Sequence, residues 1–386
     1  MLIAHTVAAL SIVNGAIIAV SCIALSAIKI ATMLLARRII APSRRLLATR
    51  AGVGHSGHLS ADNLKNQHDA PDTTTAGLSA KQRYLFDLNG FLVLKGALSP
   101  DEVKAANDAI DANSDKLHER KGQLRTSALY GRESSALAGD GETGRIDGGG
   151  MLGWAAPHRE PFRNTLAHPK LVGAMTDLMG AGYRLDHSPL LLAMEKGAEG
   201  HTLHGGAVTE AGEPAWPLRY ECVGGQMRNQ LLTVCLQLTP APAGAGGFCA
   251  VPGSHKSNFP IPPALADLAD DELAQYVQQP ALDAGDVLIF SEATLHGTLP
   301  WTADHQRRTV IYRFAPAGSA YGRGYVEWPA EMLEGMSEAQ RAVCAAPYHP
   351  RMNRVCLDDD GNAVEPKPRE SWKIEFDERV FGRRYF

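Results

Sequence analysis

The sequence predicts a mainly β domain with flanking helices, an α+β arrangement on a double-sheet barrel or jelly roll. Two observations carry this. The later half of the 386-residue chain is a series of short apolar runs separated by Gly and Pro: "SPLLLAMEKG", "NQLLTVCLQLTPAPAGAGG", "FCAVPGSH", "GDVLIFSEATLHG" and "RRTVIYRFAP". Runs of this kind, bounded by turn residues, read as buried strands, and several in succession close into a double sheet. The helical patterns come before them, so helices are expected over one face of the sheets.

From the N-terminus, the first element stands apart. Met1 to Ile28 contains no Asp, Glu, Lys or Arg. The run "VAALSIVNGAIIAVSCIALSAI" (7–28) has about the 20 residues needed to cross a bilayer core. Lys29, Arg37, Arg38, Arg44, Arg45 and Arg50 follow, with no acid before Asp62. Two readings stand: a membrane anchor with its basic flank on the cytoplasmic side, or a leader that targets the chain to an organelle. Residues 1–50 are assigned to this segment. Residues 51–78 are polar and aperiodic and read as a flexible linker; His55 and His58 there read as solvent-exposed filler.

The folded domain is expected over 79–386. "AKQRYLFDLNG" reads as a short helix and "GFLVLKGAL" as a strand. In "LSPDEVKAANDAIDANSDKLHER", Ser99 is a helix cap, Pro100 suits the first turn and Glu102 completes a capping box. Val103, Ala106, Ile110 and Leu117 would form its apolar face. Residues 121–156, rich in Gly, Ser and charge, read as one long loop, and 159–179 as a second helix.

Composition excludes some functions. A formal net charge of −4 gives no reason to expect nucleic acid as a partner. The six cysteines form no CxxC pair, so neither a zinc site nor a disulfide framework is indicated. Most of them read as buried apolar thiols.

The chemistry-bearing residues come late in the chain. A non-haem Fe(II) that activates O₂ is held by two histidines and a carboxylate on one face, with positions left open. A 2-oxoglutarate co-substrate needs a cation for its far carboxylate, and Arg binds carboxylates bidentately. His204 follows an expected strand, His296 ends "AGDVLIFSEATLH", and Arg307 and Arg308 open the next strand. Side chains alternate faces along a strand, so only one of these arginines can point inward.

The stretches "GFLVLKGALSPDEV" (90–103), "GAGGFCAVPGSHKSNFP" (244–260), "AGDVLIFSEATLHGTLPW" (284–301) and "RRTVIYRFAP" (307–316) resemble the phytanoyl-CoA dioxygenase (PhyH-like) family of Fe(II)/2-oxoglutarate oxygenases, within it a subgroup carrying "LHGG" and "PGSHKSNFP". The resemblance covers about residues 82–316; segment 317–386 has no functional reading. It implies a double-stranded β-helix with Fe(II), 2-oxoglutarate and O₂ as cofactor and co-substrates. By position it makes His204 and His296 the metal histidines. Arg307, eleven residues after His296, becomes the 2-oxoglutarate arginine, with Arg308 as the alternative. His255 falls in a family turn and is expected to be structural. His201 is a competitor for the role of His204, and His187 reads as core or loop.

The chain departs from the family at the acid. Where the family has His-x-Asp, this chain has His204-Gly205-Gly206. Three explanations are open: a 2-oxoglutarate-dependent halogenase, in which a Gly at this position leaves room for chloride; a carboxylate supplied by Glu292 or Glu210; or a catalytically inactive β-barrel binding protein. The expected function is oxidation, by hydroxylation, of a small organic or lipid-like substrate, giving succinate and CO₂. Loop 121–156 and segment 207–230, with Trp216, Arg219 and Tyr220, are the expected surroundings of the substrate pocket.

Overall fold

The computed structural model describes residues 77–383, apart from 122–133, 210, 322–324, 326, 349–353 and 367–368. The chain divides into residues 1–60 and 61–386, and every described residue lies in the second part. The apolar run 7–28, its basic flank and almost all of the expected linker fall outside the described residues. Among those described, no helix is long and apolar enough to cross a membrane.

The fold opens as its caps dictate. Helix α1 (Ala80–Asn89) starts at a capping box between Ser79 and Gln82. Strand β1 (Phe91–Leu94) follows, buried at all four positions. Helix α2 (Pro100–Asp111) has the expected capping box of Ser99 and Glu102. It stops at Asp111, so Leu117 belongs not to its apolar face but to strand β2 (Leu117–Arg120). The expected single helix over 159–179 is broken. A short turn of helix at Glu160–Asn164 ends before His168, which caps helix α3 (Pro169–Met179). Pro169 explains the break: it has no N–H to continue a helix but fits the first turn of a new one. The expected loop 121–156 also contains a strand, β3 (Arg145–Gly148).

The remaining strands are β4 (Arg184–Met194), β5 (His201–His204), β6 (Tyr220–Val223), β7 (Gln226–Asn229), β8 (Leu232–Gln237), β9 (Gly247–Ala250), β10 (Val287–Ser291), β11 (His296–Leu299) and β12 (Arg307–Ala315). They form a seven-stranded sheet, β1-β10-β8-β12-β4-β3-β2, facing a three-stranded sheet, β5-β11-β9, with β6 and β7 as a separate hairpin. Every pairing is antiparallel in both large sheets. This is the double-sheet barrel that the short buried runs predict.

Alternation along the strands divides the core in two. One face of the large sheet contributes Leu185, Leu191, Val234, Leu236, Ile289 and Val310 to a cluster with Phe86, Ile110, Val172 and Leu178 from the helices. The other face contributes Met194, Cys235, Leu288 and Phe290 to a second cluster with Phe248 from the small sheet and with Trp301. This second face lines a cavity between the sheets. After β12 the chain continues through short helices and a two-stranded hairpin to helix α4 (Ser371–Phe381).

Candidate metal and co-substrate site

The cavity has a volume of about 180 Å³ and is lined by His201, His204 and His296 on one side and by inward-facing residues of β3, β4, β8, β10 and β12 on the other. His204 and His296 sit opposite each other as cross-strand partners of β5 and β11, with ring centroids 4.2 Å apart. His296 is packed against Phe290, at 4.5 Å between centroids, and is 5% exposed.

Both rings are oriented by the backbone. Nδ1 of His204 lies 3.0 Å from the carbonyl oxygen of Thr202, and Nδ1 of His296 lies 2.8 Å from that of Thr294. A ring nitrogen beside a carbonyl must carry the proton, so each Nδ1–H donates and each Nε2 keeps its lone pair. This is the tautomer that a metal-binding histidine needs, held by the contact that usually fixes it. Burial, with the neighbouring His296, lowers the pKa of His204 to about 4; burial also lowers that of His296. Both rings are therefore neutral at neutral pH.

His201 joins them for a reason the sequence does not display. Between His201 and His204 the strand carries one more residue than its partner does between Thr298 and His296. Such a bulge resets the alternation of side chains, so both histidines line the cavity. Their ring centroids are 4.7 Å apart, and Nδ1 of His201 lies 2.9 Å from the same Thr202 carbonyl.

At the other end of the cavity lies Arg307. It is 3% exposed. Its one hydrogen-bond partner among the described residues is the sulfur of Met194, 3.4 Å from Nη1, and its Nε has none. Burial lowers its pKa to about 10, so it is still charged at neutral pH. A buried guanidinium without a counter-ion is costly, and this one faces a cavity. Arg308 points the other way, as alternation requires: its Nη2 donates to Asp111 at 2.7 Å and its Nη1 to Asn107 at 3.2 Å, both on α2. The alternative assignment to Arg308 is thus corrected. Arg308→Ala is expected to cost no more than ~1 kcal/mol, as for an exposed ion pair, and to leave 2-oxoglutarate affinity unchanged. Thermal unfolding and titration of the variant check both.

The acid candidates separate. Glu210 lies outside the described residues. Glu292 is 6% exposed, with Oε2 3.6 Å from Nε2 of His296. Its Oε1 accepts from Nε of Arg313 at 2.7 Å and from the hydroxyl of Thr233. Burial works to raise its pKa, but the positive charges at His296, when that ring is protonated, and at Arg313 outweigh this and lower it. Asp147, on β3, is committed to Arg145 at 2.7 and 3.0 Å. Among the described residues no three His, Cys, Asp or Glu side chains already stand at the spacing of a closed metal site.

Gly205 and Gly206 both have φ of +95°, where a side chain strains the backbone. At Gly206 a Cβ would meet Cδ2 of Leu295 at 3.3 Å, whereas at Gly205 it would meet the carbonyl oxygens of Thr294 and Glu292 at 2.6 and 2.7 Å. Gly205→Ala is therefore expected to destabilise the fold by about 3 kcal/mol or more and to weaken metal binding by displacing the β10–β11 connection. Urea unfolding and metal titration measure the two effects.

The other expected residues lie elsewhere. Trp216, Arg219 and Tyr220 line a separate surface groove with His255 and Lys256, where Arg219 stacks over Trp216 at 4.7 Å. His255 is buried on the turn after β9, with Nε2 3.1 Å from the carbonyl of Asp87. His187 contacts Asp186 at 3.0 Å in another pocket. Arg313 and Thr233 line or adjoin the site and were not expected. Arg313 shares its strand and its face with Arg307, so period-two alternation from Arg307 is the signal that identifies it.

With this geometry in place, comparison with known proteins identifies its relatives. The phytanoyl-CoA dioxygenase (PhyH) family matches residues 86–309. Among solved structures, HygX from Streptomyces hygroscopicus with nickel and 2-oxoglutarate bound is similar at 20% identity, covering 66% of this chain and 94% of that one, with a TM-score of 0.50. The HygX structure that also holds hygromycin B is similar to the same degree: 20% identity, 66% and 94% coverage, TM-score 0.50. At this identity the likeness is one of fold. No curated protein matches the chain.

Proposed function

The chain belongs to the phytanoyl-CoA dioxygenase family of Fe(II)/2-oxoglutarate-dependent oxygenases, and from that premise we propose that it oxidises, by hydroxylation, a small organic or lipid-like substrate, with succinate and CO₂ as co-products. The observation that carries the reading is Arg307, a buried cation facing the cavity with no hydrogen-bond partner but a methionine sulfur among the described residues. A 2-oxoglutarate C5 carboxylate is the counter-ion it lacks. The ligands in that HygX structure, nickel and 2-oxoglutarate, support the same pairing of metal and keto acid.

In this reading His204 and His296 hold Fe(II) through their Nε2 atoms. Iron held by these residues would supply the oxidising chemistry, with O₂ and 2-oxoglutarate as co-substrates. The protein's own residues orient and shield. The carbonyls of Thr202 and Thr294 fix the tautomer and angle of the two imidazoles. Phe248 and Phe290 flank His296 and keep bulk water from that side, which strengthens every charge interaction within. Arg307 fixes one end of the keto acid and so its direction.

Gly206 favours a second reading, halogenation, because β5 offers no acid where the family has one. Glu292 works against it: an ionised carboxylate 3.6 Å from Nε2 of His296 repels chloride at that point. The two readings divide on one assay, succinate release from 2-oxoglutarate by the Fe(II)-loaded protein with and without chloride. Succinate in both conditions is the expected result. Chloride-dependent turnover would favour halogenation. No succinate in either condition, with no iron bound, would make the protein a binding barrel.

A further inference from the structure

We propose that Glu292 is the carboxylate that completes the metal site, replacing from the β10–β11 connection the aspartate that this chain lacks after His204. The inference rests on the Fe(II)/2-oxoglutarate reading above.

The hydrogen-bond directions carry it. Nδ1 of His296 donates to the Thr294 carbonyl at 2.8 Å, so Nε2 is the ring nitrogen left for a further partner, and Oε2 of Glu292 lies 3.6 Å from it. That is too far for a direct hydrogen bond, and a cation that both atoms can ligate suits the space between them. His204, whose Nδ1 is held by the Thr202 carbonyl in the same way, has its ring centroid 4.2 Å from that of His296.

The rest of the carboxylate is arranged as a metal-binding carboxylate needs. Oε1 is anchored by Nε of Arg313 at 2.7 Å and by the Thr233 hydroxyl, which leaves Oε2 as the presented oxygen. Ligating carboxylates are themselves hydrogen-bonded in this way. The short connection is pinned at its base: the Glu292 N–H donates to the Leu231 carbonyl at 3.1 Å and the Ser291 N–H to the Gly90 carbonyl at 2.9 Å. A single negative charge beside two neutral imidazoles also restores the charge of the two-histidine, one-carboxylate set. Closure requires the presented oxygen to approach by a small movement, which the metal's charge favours.

The test is anaerobic titration of Fe(II) into the full chain, followed by calorimetry, for the wild type, Glu292→Ala, Glu292→Ala/Arg313→Met and His201→Ala. Glu292→Gln, which keeps the bulk, replaces the alanine variant if that fails to fold. The wild type is expected to bind one Fe(II). Loss of Glu292 is expected to lower affinity at least a hundredfold, with no recovery when Arg313 is also removed, and to cost more than His201→Ala does. Wild-type affinity in Glu292→Ala overturns the proposal. So does recovery in the double variant, which would make Glu292 only the counter-ion of Arg313, and so does a larger loss in His201→Ala than in Glu292→Ala. A wild type that binds no Fe(II) brings down the oxygenase reading and this inference together; a wild type that binds it with Glu292 dispensable brings down the inference alone.

Discussion

Arg307→Met is expected to lower 2-oxoglutarate affinity at least a hundredfold while leaving the metal-free protein as stable as before, or more so. The two halves have separate causes. Each charge-assisted hydrogen bond to the keto acid's far carboxylate is worth about 1.5–3 kcal/mol, so losing a bidentate pair exceeds two decades in affinity. In the metal-free chain the guanidinium is 3% exposed, with a methionine sulfur as its one hydrogen-bond partner among the described residues. Replacing buried charge by apolar side chains of similar volume is often neutral or stabilising, by about 1–4 kcal/mol. Arg308, one residue on, predicts the opposite pattern, since it is paired with Asp111 and Asn107. Titration of 2-oxoglutarate into the Mn(II)-loaded protein and urea unfolding of the metal-free protein read the two effects. Unchanged affinity in Arg307→Met would remove the reason for placing the keto acid in this cavity.

His296→Ala is expected to reduce Fe(II) affinity at least a thousandfold and to abolish succinate formation. On the proposed site one of its two histidines is lost, and the aromatic packing around it, Phe290 at 4.5 Å and Phe248 at 6.2 Å between centroids, is left around a void. His204→Ala is expected to match it, with little further loss in the double variant because the two act as one site. His255→Ala is the control. That histidine is 1% exposed and bound to the Asp87 carbonyl, so its removal is expected to cost stability but leave metal binding intact. Calorimetric titration and thermal unfolding of the four variants separate loss of the site from loss of the fold.

Much of this arrangement was legible in the sequence because it follows from local rules. Ser79 and Ser99 announce their helices through capping boxes, and Gly- and Pro-bounded apolar runs announce the strands. Alternation required one of Arg307 and Arg308 to face outward, though it could not say which. What was hidden depends on register and on long-range pairing. The bulge in β5 that turns His201 toward the cavity arises from its pairing with β11, which no spacing within "HTLH" reveals. The ion pair of Glu292 with Arg313 joins residues 21 apart in the chain, brought together by the adjacency of β10, β8 and β12. Trp216, Arg219 and Tyr220 were expected near the substrate because they follow His204 in sequence. The structure places all three, with His255 and Lys256, along a groove separate from the cavity that holds the histidines.

The most direct test of the account is calorimetric titration of 2-oxoglutarate into the protein, with and without Mn(II), for the wild type and for His204→Ala. The account predicts one molecule bound per chain, markedly tighter when the metal is present, with the metal's contribution lost in His204→Ala. Absence of binding in the presence of metal, or binding that is indifferent to both metal and His204, would contradict it.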